Sequence, residues 1–240
     1  TLNIESGNVA FGASAGASGY LNQTGGTLTA ATAVLIGNSG TGTYNMSGGT
    51  ATFQNGLTVG NNSGSVGTIN QTAGVISLTG GSLDLKQSAS DYNLSGGQLV
   101  VGGSGVTGAG QLNINGGNLS GNGLITAATV VSGNGTITPG STTSGIHTPG
   151  LLTFTNLSLN SSSIYAWSLA NESMSGAGAN FDEIQASAGG SILLDGSLTF
   201  NLSFGSGINF ADAFWTTMET WDVIDASASG ASLTGSATYV

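Results

Sequence analysis

The sequence predicts an all-β fold, a parallel β-helix (β-solenoid) with three short strands per turn. Three observations carry this. A word of apolar residue, Asn and one or two residues leading toward glycine recurs at Asn3, Asn22, Asn45, Asn70, Asn93 and Asn113. Apolar and polar residues alternate around each Asn, as in a half-buried strand. The unit spans about 20 to 25 residues, too few to bury a face alone, so it must stack on its neighbours.

The first strand of each unit is read from Leu2-Asn3-Ile4, Leu21-Asn22-Gln23, Tyr44-Asn45-Met46, Ile69-Asn70-Gln71, Tyr92-Asn93-Leu94 and Leu112-Asn113-Ile114. Alternation sends the first and third residues to one side and Asn to the other. The six Asn are therefore expected to form an outward structural ladder, or else to bond to backbone at a corner. Gln23 and Gln71 interrupt the apolar third position; partial burial with amide partners is expected, because an unpaired buried amide costs about 1 to 3 kcal/mol.

Glycine turns follow at Gly25-Gly26, Gly48-Gly49, Gly96-Gly97 and Gly116-Gly117, where a positive φ is tolerated. A second strand then offers Leu28, Ala51, Ile76, Leu99 and Leu119 to the core. A third offers Val34 and Ile36, Leu57 and Val59, Leu83 and Leu85, closed by corners such as Gly37-Asn38-Ser39-Gly40 and Gly60-Asn61-Asn62-Ser63-Gly64.

Residues 1–135 form this repeat region, and the pattern changes over 136–240. Pro139-Gly140 and Pro149-Gly150 flank a loop, after which longer strands are expected at Leu151–Leu159, Ser163–Leu169, Phe181–Ala186, Ile192–Phe204 and Trp221–Ile224. All three Trp lie there, which suits a continuation or cap with wider turns and a bulkier core.

Composition narrows the function classes. Charged residues make up 5% of the chain, against roughly 25% in ordinary soluble domains, so Asn, Ser, Thr and Gly must cover the surface. In a stack of rungs about 4.8 Å apart, a repeated charge would build a repelling column, whereas Asn and Thr can bond along it. A net charge of −10 with one Lys and no Arg excludes nucleic acid as a partner. No apolar run is long enough to span a bilayer, so membrane insertion is not expected. The absence of Cys and the wealth of small polar residues fit an extracellular or bacterial cell-surface location. The opening at Thr1, with no basic apolar leader, reads as a mature or excised segment.

Chemistry is sparse. His147 stands alone in a loop and reads as an exposed turn residue, and Lys86 is the only cation an acidic-sugar lyase could use. A glycosidase needs two carboxylates facing one cleft about 5 to 9.5 Å apart, yet Asp182 and Glu183 are adjacent on a strand. No catalytic residue and no cofactor is assigned. Calcium is the one metal for which ligands exist, from Asp182, Glu183, Asp222 and Asp225; a scattered solubilising surface is the plainer account of these acids. Thr27 with Thr29 and Thr50 with Thr52 suggest a water-ordering Thr array, kept in only two turns. Triplets such as Asn22-Gln23-Thr24 match glycan acceptors because the repeat recurs.

The run from Ile36 through Gly37-Asn38-Ser39-Gly40, Tyr44-Asn45-Met46-Ser47-Gly48-Gly49 to Thr50 resembles the repeat of autotransporter passengers and of PEP-CTERM-associated bacterial surface proteins. The segment from Pro149-Gly150-Leu151 through Phe181-Asp182-Glu183-Ile184 to Trp221-Asp222-Val223-Ile224-Asp225 resembles the end of such β-helices. The resemblance implies a right-handed β-helix outside a bacterial cell, adhesive or structural. The expected function is therefore a non-enzymatic structural or adhesive β-solenoid, with surface glycans as candidate partners; a carbohydrate-binding or carbohydrate-degrading β-helix is the alternative. Unpaired edges at both ends predict head-to-tail self-association into a filament through Leu2, Ile4, Leu233 and Tyr239.

Overall fold

The structure, a computed structural model, describes residues 1–94, 97–101, 105–109, 111–115, 118–143 and 145–239 of the 240-residue chain. Gly96, Gly116 and Gly117 of the expected turns lie outside the described residues. A single sheet of 22 strands winds through the chain, and strands one turn apart pair in parallel, as a coil of three strands per turn requires. No α-helix occurs among the described residues; the one helical turn is the 3-10 segment Ala213–Thr216.

The coil has three faces. The Asn face runs from Ser18–Gln23 through the first halves of Thr41–Phe53 and Val66–Leu78 to Asp91–Leu94, Gln111–Asn115 and Ala128–Ser132, and ends on Ser232–Tyr239. The Thr face starts at Leu2–Ile4 and Thr27–Ala30 and continues through Gln98–Val101, Asn118–Gly121, Thr136–Pro139 and Ser163–Leu169. The third face stacks Val9–Phe11, Val34–Ile36, Leu57–Val59, Leu83–Leu85, Val106–Gly108 and Gly123–Ile125.

Between the faces the core is a set of stacked apolar columns. One runs Leu28, Ala51, Ile76, Leu99, Leu119, Ile137 and Tyr165, each in register with the next and each buried. Burying one such aliphatic side chain is worth about 1.5 to 3 kcal/mol, so the column holds its turns together along the axis. Ile36, Val59, Leu94 and Ile114 are buried as well.

Corner glycines are fixed by contact as well as by torsion. Gly26, Gly49, Gly74 and Gly97 all have φ between 70° and 83°. A Cβ on Gly49 would stand 2.3 Å from the Gly26 carbonyl oxygen, and one on Gly97 2.4 Å from that of Gly74. At Gly49, Gly74 and Gly97 the turn thus closes at a point where no side chain fits, whereas Gly26 in the outermost of these turns has open space around it.

Three expectations are corrected. Leu2-Asn3-Ile4 belongs to the Thr face, where Asn3 lies beside Thr29, so the first of the six words is out of phase with the other five. The Phe181–Ala186 and Ile192–Phe204 strands are largely one continuous strand, Glu183–Phe204, that bends around all three faces. Around Trp221–Ile224, only Ile224–Asp225 is strand. Across residue 135 the stack runs on, with Thr136–Pro139 paired back onto Asn118–Gly121 and forward onto Ser163–Leu169.

Candidate functional site

The Asn face carries a hydrogen-bonded amide ladder. Asn45 Nδ2 donates to Asn22 Oδ1 at 2.9 Å, Asn70 to Asn45 at 3.0 Å, Asn93 to Asn70 at 3.1 Å and Asn113 to Asn93 at 3.1 Å. The column stops where Val130 takes the next position. Asn3 is not a member. A shorter second column follows the corner between the third face and the Asn face, where Asn61 Nδ2 donates to Asn38 Oδ1 at 2.8 Å and Lys86 Nζ to Asn61 Oδ1 at 2.9 Å. Lys86 thus has a structural partner in this column rather than a catalytic one.

The second feature lies where the Thr face turns into the third face. Early turns cross this corner in three or four residues, as between Phe53 and Leu57 or Leu78 and Leu83. Beyond Pro139 the crossing enlarges into the hairpin Ser141–Thr143 with Ile146–Thr148, then residues 170–182, then residues 205–223. In solenoids such insertions gather on one side, which is often the binding side.

Each insertion leans on the next. His147 Nε2 lies 2.9 and 3.0 Å from the two carboxylate oxygens of Asp182 and donates to them. The Gly150 amide donates to the same carboxylate at 2.9 Å, and Thr142 Oγ1 is 3.3 Å from His147 Nδ1. The main chain of Asp182 accepts from Trp167 Nε1 at 2.7 Å. Further along, Glu172 Oε1 accepts from the Asn209 amide at 2.6 Å and from Trp215 Nε1 at 2.9 Å, while Trp221 Nε1 donates to the Ser173 carbonyl at 2.8 Å. These bonds to N–H donors hold the Glu172 carboxyl below its usual range.

His147 is therefore not the isolated exposed turn residue expected. Its side chain is 18% exposed and pins the hairpin to a carboxylate with no exposure at all. Burial pushes the Asp182 carboxyl up from its ordinary value, and the bonds from His147 and Gly150 offset part of that rise. The Thr142, His147 and Asp182 line resembles a triad in its parts, but its acid is sealed in and its hydroxyl meets the imidazole at a long 3.3 Å.

The calcium candidates separate. Asp182 faces His147, whereas Glu183 faces Asp225 and Asp222, and burial followed by those two charges raises its pKa to about 7. Asp225 is engaged by Gln185 Nε2 at 3.0 Å. Among the described residues no three carboxylate, His or Cys side chains converge as a metal site requires. Asp182 and Glu183 are both buried, so neither belongs to a scattered acidic surface.

The self-association residues also fall on different faces. Leu2 and Ile4 edge the Thr face, whereas Leu233 sits on the Asn face in register with Ile192. Leu2 and Leu233 are about half exposed, and the side chain of Tyr239 lies outside the described residues. The Thr pairs do align, Thr27 on Thr50 and Thr29 on Thr52, but Val75 and Ser77 occupy the next turn.

Sequence reasoning located the three Trp only as core bulk. Trp167 is buried, yet all three line an open groove with Phe200, Phe204 and Glu219. The clustering of Trp and acids beyond residue 150 was the available signal. No protein-family model, curated protein or solved structure matches this chain.

Proposed function

We propose that this chain is a non-enzymatic extracellular β-solenoid, structural or adhesive, at a bacterial surface, and that copies join head to tail. The observation that carries the reading is the five-residue Asn ladder. Its outward amides are spent on one another along the axis rather than converging on a substrate, which is what a load-carrying rod needs and a catalytic cleft does not. The resemblance of Ile36 to Thr50 to bacterial surface repeats supports the location.

Among the described residues, Ser18–Gln23 and Ser232–Tyr239 each have one strand neighbour on the Asn face. Copies that continue the faces would place Ser232–Tyr239 against Ser18–Gln23, with Leu233 over Leu21, and not against Leu2 and Ile4. Negative-stain microscopy and sedimentation of the 240-residue chain test this. Leu21→Lys should keep the β-sheet circular dichroism and abolish end-to-end particles, and unmodified chain that stays monomeric at high concentration would defeat the association. A panel of polysaccharides tests the rest, since release of oligosaccharide would replace this reading with the carbohydrate-degrading one.

A further inference from the structure

We propose that the aromatic groove formed by the last corner insertion binds a small quaternary ammonium ion, a free trimethylammonium compound of choline size. The groove has a volume of about 360 Å³ and is lined by Trp167, Trp215, Trp221, Phe200, Phe204 and Glu219. That volume suits a small ligand. The proposal is independent of the structural role proposed above.

Shape is the first argument. The ring centroids of Trp167 and Trp221 are 5.8 Å apart with planes at 60°, and those of Trp215 and Trp221 are 6.1 Å apart at 40°. Mutually tilted rings make a curved wall, which fits a rounded alkylammonium head better than a flat sugar ring.

Hydrogen-bonding capacity is the second. All three indole N–H groups are already committed, Trp167 to the Asp182 carbonyl, Trp215 to Glu172 and Trp221 to the Ser173 carbonyl. A polyhydroxylated or anionic ligand would have to give up its water without gaining those donors. A quaternary ammonium has no hydrogen to donate and needs none.

Charge is the third. Glu219 lines the groove, and the carboxylate of Glu172 sits at the indole N–H of Trp215. No Lys, Arg or His occurs after residue 150. A cation over electron-rich ring faces is attracted by their quadrupoles, most strongly for Trp, and the His that adjoins this region, His147, is engaged by the Asp182 carboxylate. The apolar Leu202 and Val223 complete walls that methyl groups can contact.

Calorimetric titration of the 240-residue chain with choline chloride, at constant ionic strength, tests the proposal against the uncharged isostere 3,3-dimethyl-1-butanol. Choline should bind about tenfold or more tightly than the isostere. Glu219→Gln, at a residue with no core role, should weaken choline severalfold with an unchanged circular dichroism spectrum, and Trp215→Ala should abolish binding. Equal affinity for the two ligands would reduce the groove to a plain apolar cleft and overturn the proposal. So would the absence of choline binding, or tighter binding of a neutral oligosaccharide such as cellohexaose than of choline.

Discussion

The phenolic hydroxyl of Tyr44 donates to Oε1 of Gln23, one turn earlier, at 2.6 Å, and Tyr44 is wholly buried while Gln23 is nearly so. Tyr92 repeats the bond on Gln71. Gln71 Nε2 also donates to the carbonyls of Gly74 and Gln98, each at 2.9 Å, and Gln23 Nε2 donates to that of Thr50 at 2.9 Å. The core under the Asn face therefore repeats every two turns: Gln23, Met46, Gln71 and Leu94 stack in one column while Leu21, Tyr44, Ile69 and Tyr92 stack beside it. Burial pushes both phenols above their ordinary pKa, which keeps them neutral donors.

Tyr92→Phe removes one buried hydrogen bond to Gln71 and should cost about 0.5 to 1.5 kcal/mol of unfolding free energy. Gln71→Leu should cost more, because two main-chain carbonyls lose their donor as well. Urea denaturation of the two variants checks the order; a neutral Tyr92→Phe would show that the hydroxyl contributes nothing.

The ladder predicts position-dependent costs. Asn70 donates to Asn45 and accepts from Asn93, whereas among the described residues the Asn113 side chain bonds to Asn93 alone. Asn70→Ala should lower stability by about 1 to 2 kcal/mol and Asn113→Ala by roughly half of that. Asn3→Ala, outside the ladder, should stay within about 0.5 kcal/mol. Equal losses at all three sites in chemical denaturation would contradict a cooperative column.

His147→Ala removes a donor from a carboxylate that stays buried, with the Gly150 amide and the Ser168 hydroxyl as its remaining partners. A loss of about 1 to 3 kcal/mol is expected, together with faster amide exchange across residues 141–148. Unchanged exchange there would mean that the hairpin is held by other contacts.

Glu183 gives the chain a pH dependence of definite sign. Its folded pKa is raised from the ordinary 4.5 to about 7, so the native state holds this proton more tightly than the unfolded chain. Its contribution is fully present below pH 4.5 and is lost as pH rises through about 7. Asp182 acts in the same direction and Asp225 in the opposite one, so the test is a comparison: Glu183→Gln should flatten the stability curve across this interval and be the more stable protein at pH 8. Parallel curves for the two proteins would reject the assignment.

The five in-phase Asn words were legible because a large apolar residue followed by Asn returned at nearly constant spacing, each time ahead of a glycine turn. Leu2-Asn3-Ile4 misled because three alternating residues look alike on any face, and Gly7 follows Asn3 at the same spacing as Gly26 follows Asn22 and Gly74 follows Asn70. The Gln and Tyr alternation was written in the sequence too, as Gln23, Tyr44, Gln71 and Tyr92, but its meaning depends on which turn each side chain reaches. The corner stack could not be read ahead, because His147 meets Asp182 only once the lengths of two successive insertions are known. The three Trp were placed in the right third of the chain, yet an opening between rings follows from tilt angles that composition does not encode.

The enlarged corner also makes the coil a platform for exchange. Closing a longer loop costs only about 0.6 kcal/mol for each doubling of its length, while the columns on the other faces pass the corner untouched, Thr129 onto Leu157 and Val130 onto Ser158. Gly140 and Gly150 meet closely at the base of the hairpin, so its ends enter and leave at almost one point. Foreign peptides grafted between them would project sideways from a rigid shaft, which makes the hairpin a natural slot for displaying an epitope.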